Sequence, residues 1–84
     1  MYISVLTPDR TIYQGDITSV KVPGTSGEFE ILENHAPIVS SLEAGPVRLI
    51  KEEGEQMKFH IEKGFIEVLN NKISLLVQGV SGEE

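Results

Sequence analysis

An all-β fold, a flattened antiparallel β-sandwich or barrel of about eight to ten short strands, is predicted for this 84-residue chain by three features of its sequence. From Gln56 to Glu62, Met57, Phe59 and Ile61 alternate with Gln56, Lys58, His60 and Glu62, the period of two expected of a strand with one wet face. Short runs rich in β-branched and aromatic residues recur along the chain, each ended by Gly, Pro or Asn. No stretch of ten positions spaces its apolar residues at the helical period. Many short strands at regular intervals in so small a chain favour a sandwich or a barrel.

In order, the strand-like runs are Tyr2 to Leu6, Thr11 to Tyr13, Thr18 to Val22, Glu28 to Leu32, Val47 to Lys51, Gln56 to Glu62, Phe65 to Leu69 and Lys72 to Val77. Ile17 is out of step with Val20 and Val22, which leaves two readings: a bulge after Gly15, or a strand that starts at Thr18. Val22 to Pro37 (VPGTSGEFEILENHAP) crowds turn signals around the short Glu28–Leu32 run. Pro23-Gly24 is a turn dipeptide, Gly27 supplies positive φ, Asn34 tolerates the left-handed region, and Pro37 keeps Ala36 extended. Asn70-Asn71 suits a two-residue type I′ hairpin, and Glu53-Gly54 marks a second hairpin. Phe65, Ile66, Val68 and Leu69, followed by Ile73, Leu75, Leu76 and Val77, are apolar on both faces of their strands. Such strands lie centrally or have a second face covered by a partner.

A chain this short builds a core worth only about 3 to 5 kcal/mol unless it is stapled, metallated or docked. It has no cysteine, which excludes disulfides and thiolate metal sites and fits a reducing compartment. Thirteen acidic against seven basic residues give a net charge of −6. The bases are scattered, which argues against nucleic acid, whose phosphates require clustered Lys and Arg. No apolar run approaches membrane-spanning length and no leader-like segment opens the chain, so a soluble, internal protein is expected.

Chemistry is sparse. His35 lies in the loop and His60 in a strand, neither at a catalytic spacing from an activated nucleophile, so no catalytic residue is expected. Glu33 and His35 are two neighbours without a third ligand, so no metal site is expected. Gly24 and Gly27 form no phosphate loop, because no Lys-Ser or Lys-Thr closes the run and no helix follows. Met57-Lys58 resembles the modified lysine of biotinyl and lipoyl carrier domains. Such a lysine stands at an exposed hairpin tip, whereas Lys58 lies inside an alternating strand. A carrier or other small β-sheet binding domain is the alternative reading.

Over nearly its whole length the sequence resembles the N-terminal β-sandwich domain of the epsilon subunit of rotary F-type ATP synthase. The resemblance is carried by Leu6 to Gly15 (LTPDRTIYQG), Ile17 to Val22, the proline-glycine loop, Asn34 to Pro37 (NHAP), Leu42 to Leu49 (LEAGPVRL), Gly64 to Val68 (GFIEV), Asn70-Asn71 and Ile73 to Val77. Individually these are ordinary; their order and spacing make the likeness specific. Glu30 stands where the family usually has glycine, which should push that edge toward a regular strand. Lys63 replaces the first of a usual glycine pair, leaving Gly64 to make the bend. Longer members continue into a helical hairpin for which the tail Gln78 to Glu84 has no room. A single domain, residues 1–84, without a C-terminal helical domain is therefore expected.

The resemblance implies a non-catalytic rotor part with no cofactor, bound to the gamma subunit and to the membrane ring of c subunits of a proton-translocating synthase. It places the chain peripherally on the cytoplasmic face of the bacterial inner membrane, attached only through the complex. By position it assigns Glu28, Glu33, Asn34, His35, Ala36, Pro37 and Ile38 to contact with ring and stalk, the carboxylates meeting polar ring loops.

Overall fold

The structure, a computed structural model, describes residues 1–83; Glu84, the last residue of the expected single domain, lies outside them. Among the described residues every regular element is a strand: β1 (Tyr2–Leu6), β2 (Thr11–Gly24), β3 (Gly27–Leu32), β4 (Ile38–Leu42), β5 (Gly45–Lys51), β6 (Gln56–Ile61), β7 (Lys63–Leu69) and β8 (Lys72–Gln78). The eight fall within the expected number. All pairings are antiparallel except β1 with β8, which run parallel.

The long strand β2 joins the two layers. Its first half, Thr11 to Asp16, pairs with β1. Its second half pairs with β5 along one edge and with β3 along the other, Val20 lying opposite both Leu49 and Ile31. One layer is thus β3-β2-β5-β6 and the other β4-β7-β8-β1-β2. Between them lie Ile3, Val5, Ile17, Val20, Val22, Ile31, Leu49, Ile61, Ile66 and Leu75, all fully buried, with Phe59 only 3% exposed. The alternation read from Gln56 to Glu62 holds: Phe59 and Ile61 point inward, Lys58 and His60 outward.

Three sequence-based expectations need correction. Thr11–Tyr13 and Thr18–Val22 are not separate strands but parts of β2, because β1 carries the pairing through Asp16. The irregularity at Ile17 is a bulge. Ile17 faces Lys51 and Ser19 faces Ile50, leaving Thr18 as the extra residue, whose hydroxyl donates to the Ile50 carbonyl at 3.3 Å. The bulge turns both Ile17 and Val20 inward. Second, Ile38–Leu42 (IVSSL) is a full strand, β4, hidden from sequence by its two serines. Third, Gly64 takes no left-handed conformation; it is needed for close approach, since a Cβ there would lie 2.8 Å from the Leu76 carbonyl oxygen. It sits where the chain leaves β6 in one layer for β7 in the other, with Glu62 alone between the strands.

The turns match their sequence. Asn70 and Asn71 have φ of 52° and 62°, the two positive values a type I′ hairpin requires. Gly54 (φ 94°) turns β5 into β6, and its N–H donates to the Lys51 carbonyl at 2.8 Å. Glu30 lies within an unbroken β3, opposite Lys21.

Candidate docking surfaces

The residues singled out in the Glu28–Ile38 region do not form one cluster. Glu28 is the second residue of β3 and Glu33 follows its end; five residues of extended chain separate them by roughly 17 Å. Glu28 reaches Lys21 Nζ at 3.5 Å on the outer face of its layer. Glu33, Asn34, His35, Ala36 and Pro37 lie at the opposite end of β3, beside the Asn70-Asn71 hairpin. Ile38 belongs to β4, half-buried, opposite Val68. What links the two ends is the outer edge of β3, which pairs with β2 on one side only. An open edge invites strand pairing with another chain, and Glu28 and Glu30 on this strand discourage it.

The loop is held from behind. Glu33 Oε1 accepts from the Met1 ammonium at 3.0 Å, and the same ammonium donates to the Ile17 carbonyl at 3.3 Å. Glu33 Oε2 accepts from Asn71 Nδ2 at 3.0 Å. Asn71 Oδ1 accepts the Asn34 backbone N–H at 2.7 Å, and Asn71 Nδ2 also donates to Asn34 Oδ1 at 2.9 Å. Asn34 takes the left-handed conformation (φ 65°), as its residue type allows. The His35 N–H donates to the Leu32 carbonyl at 3.2 Å, and its ring Nδ1 lies 2.7 Å from the Ala36 carbonyl. A carbonyl only accepts, so Nδ1 carries the proton of that bond. Glu33 is therefore more than an exposed loop carboxylate; it is tied to buried Met1, just ahead of β1, which sequence position could not reveal.

A second surface was legible only in outline. In the layer β4-β7-β8-β1, the inward residues of β7 and β8 are Ile66, Val68, Ile73, Leu75 and Val77, so their alternates face out. Leu6, Leu76 and Phe65 stand in register on three adjacent strands, Leu6 opposite Leu76 and Leu76 opposite Phe65. Phe65 and Leu76 are 41% and 47% exposed, and Val39, Leu69 and Tyr2 add exposed apolar area on the same face. The row floors a groove of about 610 Å³ that Thr7, Pro8 and Ser41 also line.

On the other layer the outer face carries a charged row, with exposed Leu32 at the end of β3 its apolar exception. Glu30, Lys21, Arg48 and Lys58 stand in register across β3, β2, β5 and β6. Arg48 donates to Glu30 at 2.6 Å and Lys21 pairs with Glu28. Lys58 lies inside β6 rather than at a hairpin tip, unlike the lysine of a carrier domain. Among the described residues no three of His, Cys, Asp and Glu converge as metal ligands.

These observations define a small two-layer β-sandwich with a charged row on one outer face and an apolar row on the other. The family described as ATP synthase, Delta/Epsilon chain, beta-sandwich domain matches residues 1–82, and the chain belongs to it. It is 40% identical over 79 residues to the ATP synthase epsilon chain of Chlorobium limicola, covering 94% of this chain and 90% of that one. It is 44% identical over 75 residues to the epsilon chain of Leptospira borgpetersenii, covering 88% of this chain but 58% of that longer one. Among solved structures, a chain of the Euglena gracilis mitochondrial ATP synthase (OSCP/F1/c-ring) superimposes with a TM-score of 0.86 at 20% identity, over 94% of this chain and 51% of that one. A chain of the Tetrahymena thermophila mitochondrial ATP synthase central stalk and c ring gives 0.78 at 16% identity, over 95% and 64%. The two structures establish a shared fold.

Proposed function

We propose that this chain is the epsilon-type central-stalk subunit of a proton-translocating F-type ATP synthase, a non-catalytic rotor part that couples the c ring to the gamma subunit and the catalytic head. The observation that carries the reading, alongside family membership, is the in-register apolar row Leu6–Leu76–Phe65 on a sheet whose inner face is already packed. Torque transmission needs a stiff body held at two places. Two hydrogen-bonded layers around one dry core supply the stiffness, and the apolar row supplies a surface for gamma, where desolvated aromatic and aliphatic side chains dominate binding energy.

The second contact is with the polar loops of the c ring. It runs along the open edge of β3, from Glu28 at one end to Glu33, Asn34, His35, Ala36, Pro37 and the start of β4 at Ile38 at the other. Carboxylates on this edge suit a partner loop bearing a cation, and complementary charge there fixes register more than it adds affinity. No group has to titrate or react. The chain acts as a single β-sandwich domain and is peripheral, attached through the complex to the cytoplasmic face of the bacterial inner membrane. Affinity purification of the natural protein from native membranes tests the reading: alpha, beta, gamma and c subunits are expected with it, and their absence, or a covalent modification of Lys58, would overturn it in favour of a carrier.

A further inference from the structure

The geometry points to Asn71 as a positioning residue that sets the conformation of the Asn34–Pro37 loop for docking. The inference rests on the reading of that loop as a ring-facing contact. Turn chemistry alone does not account for an asparagine here: at the second position of a type I′ hairpin with φ 62°, glycine meets the backbone requirement at least as well. What glycine lacks is the carboxamide, and in Asn71 both ends of it are engaged. The oxygen accepts the Asn34 N–H at 2.7 Å; the nitrogen donates to Asn34 Oδ1 at 2.9 Å and to Glu33 Oε2 at 3.0 Å.

The partners fix which end is which. A backbone N–H needs an acceptor and a carboxylate needs a donor, so the amide has one orientation. Through it a hairpin of one element grips a loop 37 residues earlier in the chain. Glu33, gripped on its second oxygen, is held on its first by the Met1 ammonium, and Asn34 is held in its left-handed conformation. The clamp engages Glu33 and Asn34, at the start of the loop. Ala36 and Pro37 are left exposed and His35 half-exposed.

Asn71→Gly is the informative variant, since it keeps the turn and removes only the clamp. In the free protein, hydrogen exchange at the Asn34 amide should accelerate about two- to tenfold on losing one hydrogen bond. Amides of β7 and β8 in the core layer should keep their protection. Rebinding of the purified chain to ATP synthase depleted of this subunit should weaken several-fold in the same variant. His35→Asp, on the loop itself, serves as the control. Unchanged exchange at Asn34 in Asn71→Gly overturns the positioning role whatever the binding result. Faster exchange with normal rebinding, while His35→Asp fails to rebind, overturns the role in docking and leaves the functional reading intact. If both variants rebind normally, the loop is not a contact and the two inferences fall together.

Discussion

The two outer faces of the sandwich obey the same alternation and cover the same core, yet the rows that cross them are built from opposite materials. On β3-β2-β5-β6 the register row is Glu30, Lys21, Arg48 and Lys58; on β7-β8-β1 it is Phe65, Leu76 and Leu6. Folding does not require the difference, because both layers bury their inner residues and a wet outer face serves equally well on either. A cross-strand apolar pair contributes only about 0.2 to 1 kcal/mol over alanine. Single exposed apolar residues are ordinary, but a contiguous row rimmed by polar residues is the mark of an interaction site. A contrast of this kind is what a row left to water and a row offered to a partner would show.

Removing the core that both faces share is the largest perturbation. Phe59 is 3% exposed, and Phe59→Ala should cost roughly 3 to 5 kcal/mol. A domain this small has about that much to lose. Thermal melting followed by far-ultraviolet circular dichroism should show no cooperative transition, or one displaced far downward; a melt near that of the parent would mean that Phe59 is not a tightly packed part of the core.

Next comes a charge in the apolar row. Leu76→Asp sits between Leu6 and Phe65, and the free protein should lose at most about 1 kcal/mol, because the residue is already half in water. Assembly should fall by roughly 30-fold or more, the equivalent of about 2 kcal/mol, if this position is central to the gamma contact. Co-purification of gamma with the variant reads the outcome. Normal co-purification would show the row to be a solvent face after all, and the contrast between the faces would lose its meaning.

The sequence carried most of the fold and only part of the site. Alternation is visible wherever an inward residue is large and its neighbours polar, which is why Gln56 to Glu62 could be assigned residue by residue. β4 escaped because its inward positions are Ile38, Ser40 and Leu42, and a serine at the middle position erases the period. β2 read as two strands because the bulge at Thr18 resets the phase midway. Runs apolar on both faces, Phe65 to Leu69 and Ile73 to Val77, were legible as such, but only the pairing register showed that Phe65 and Leu76, both exposed, join Leu6 in one row. The clamp on Glu33 was invisible for a similar reason. Its partners, Met1 and Asn71, are 32 and 38 residues away, and no local pattern encodes a contact of that range.

The mirror of Leu76→Asp lies on the charged face. Lys58 stands opposite Arg48, and like charges in register repel. Lys58→Glu should leave stability within about 0.5 kcal/mol of the parent, shifted upward if at all, since it relieves that repulsion. Co-purification of gamma and c should be unaffected. Loss of either partner would mean that docking reaches across the charged row to β6, beyond the Glu28 edge, and the division between the two rows would fail.

The smallest effect expected is also the sharpest test of whether the charged face really meets water. Arg48 and Glu30 pair at 2.6 Å across the strand that carries Lys21, with side chains 30% and 38% exposed. An ion pair open to solvent is worth about 0.2 to 1 kcal/mol, because water screens it and two long side chains give up their freedom to hold one geometry. A double-mutant cycle with Glu30→Gln, Arg48→Gln and both together should return a coupling energy in that range. Raising the salt to about 1 M, where the screening length falls to roughly 3 Å, should remove most of it. The cycle is to be run on the free protein and again within the assembled complex. If the face stays wet, the two couplings agree and both fade with salt. A coupling of several kcal/mol that appears only in the complex and ignores salt would mean that a partner has closed over Arg48 and dried the pair, since a desolvated pair is strongly penalised when one member is removed. That result would extend docking from the Glu28 edge onto the charged row itself, and the apolar row would no longer stand alone as the proposed contact with gamma.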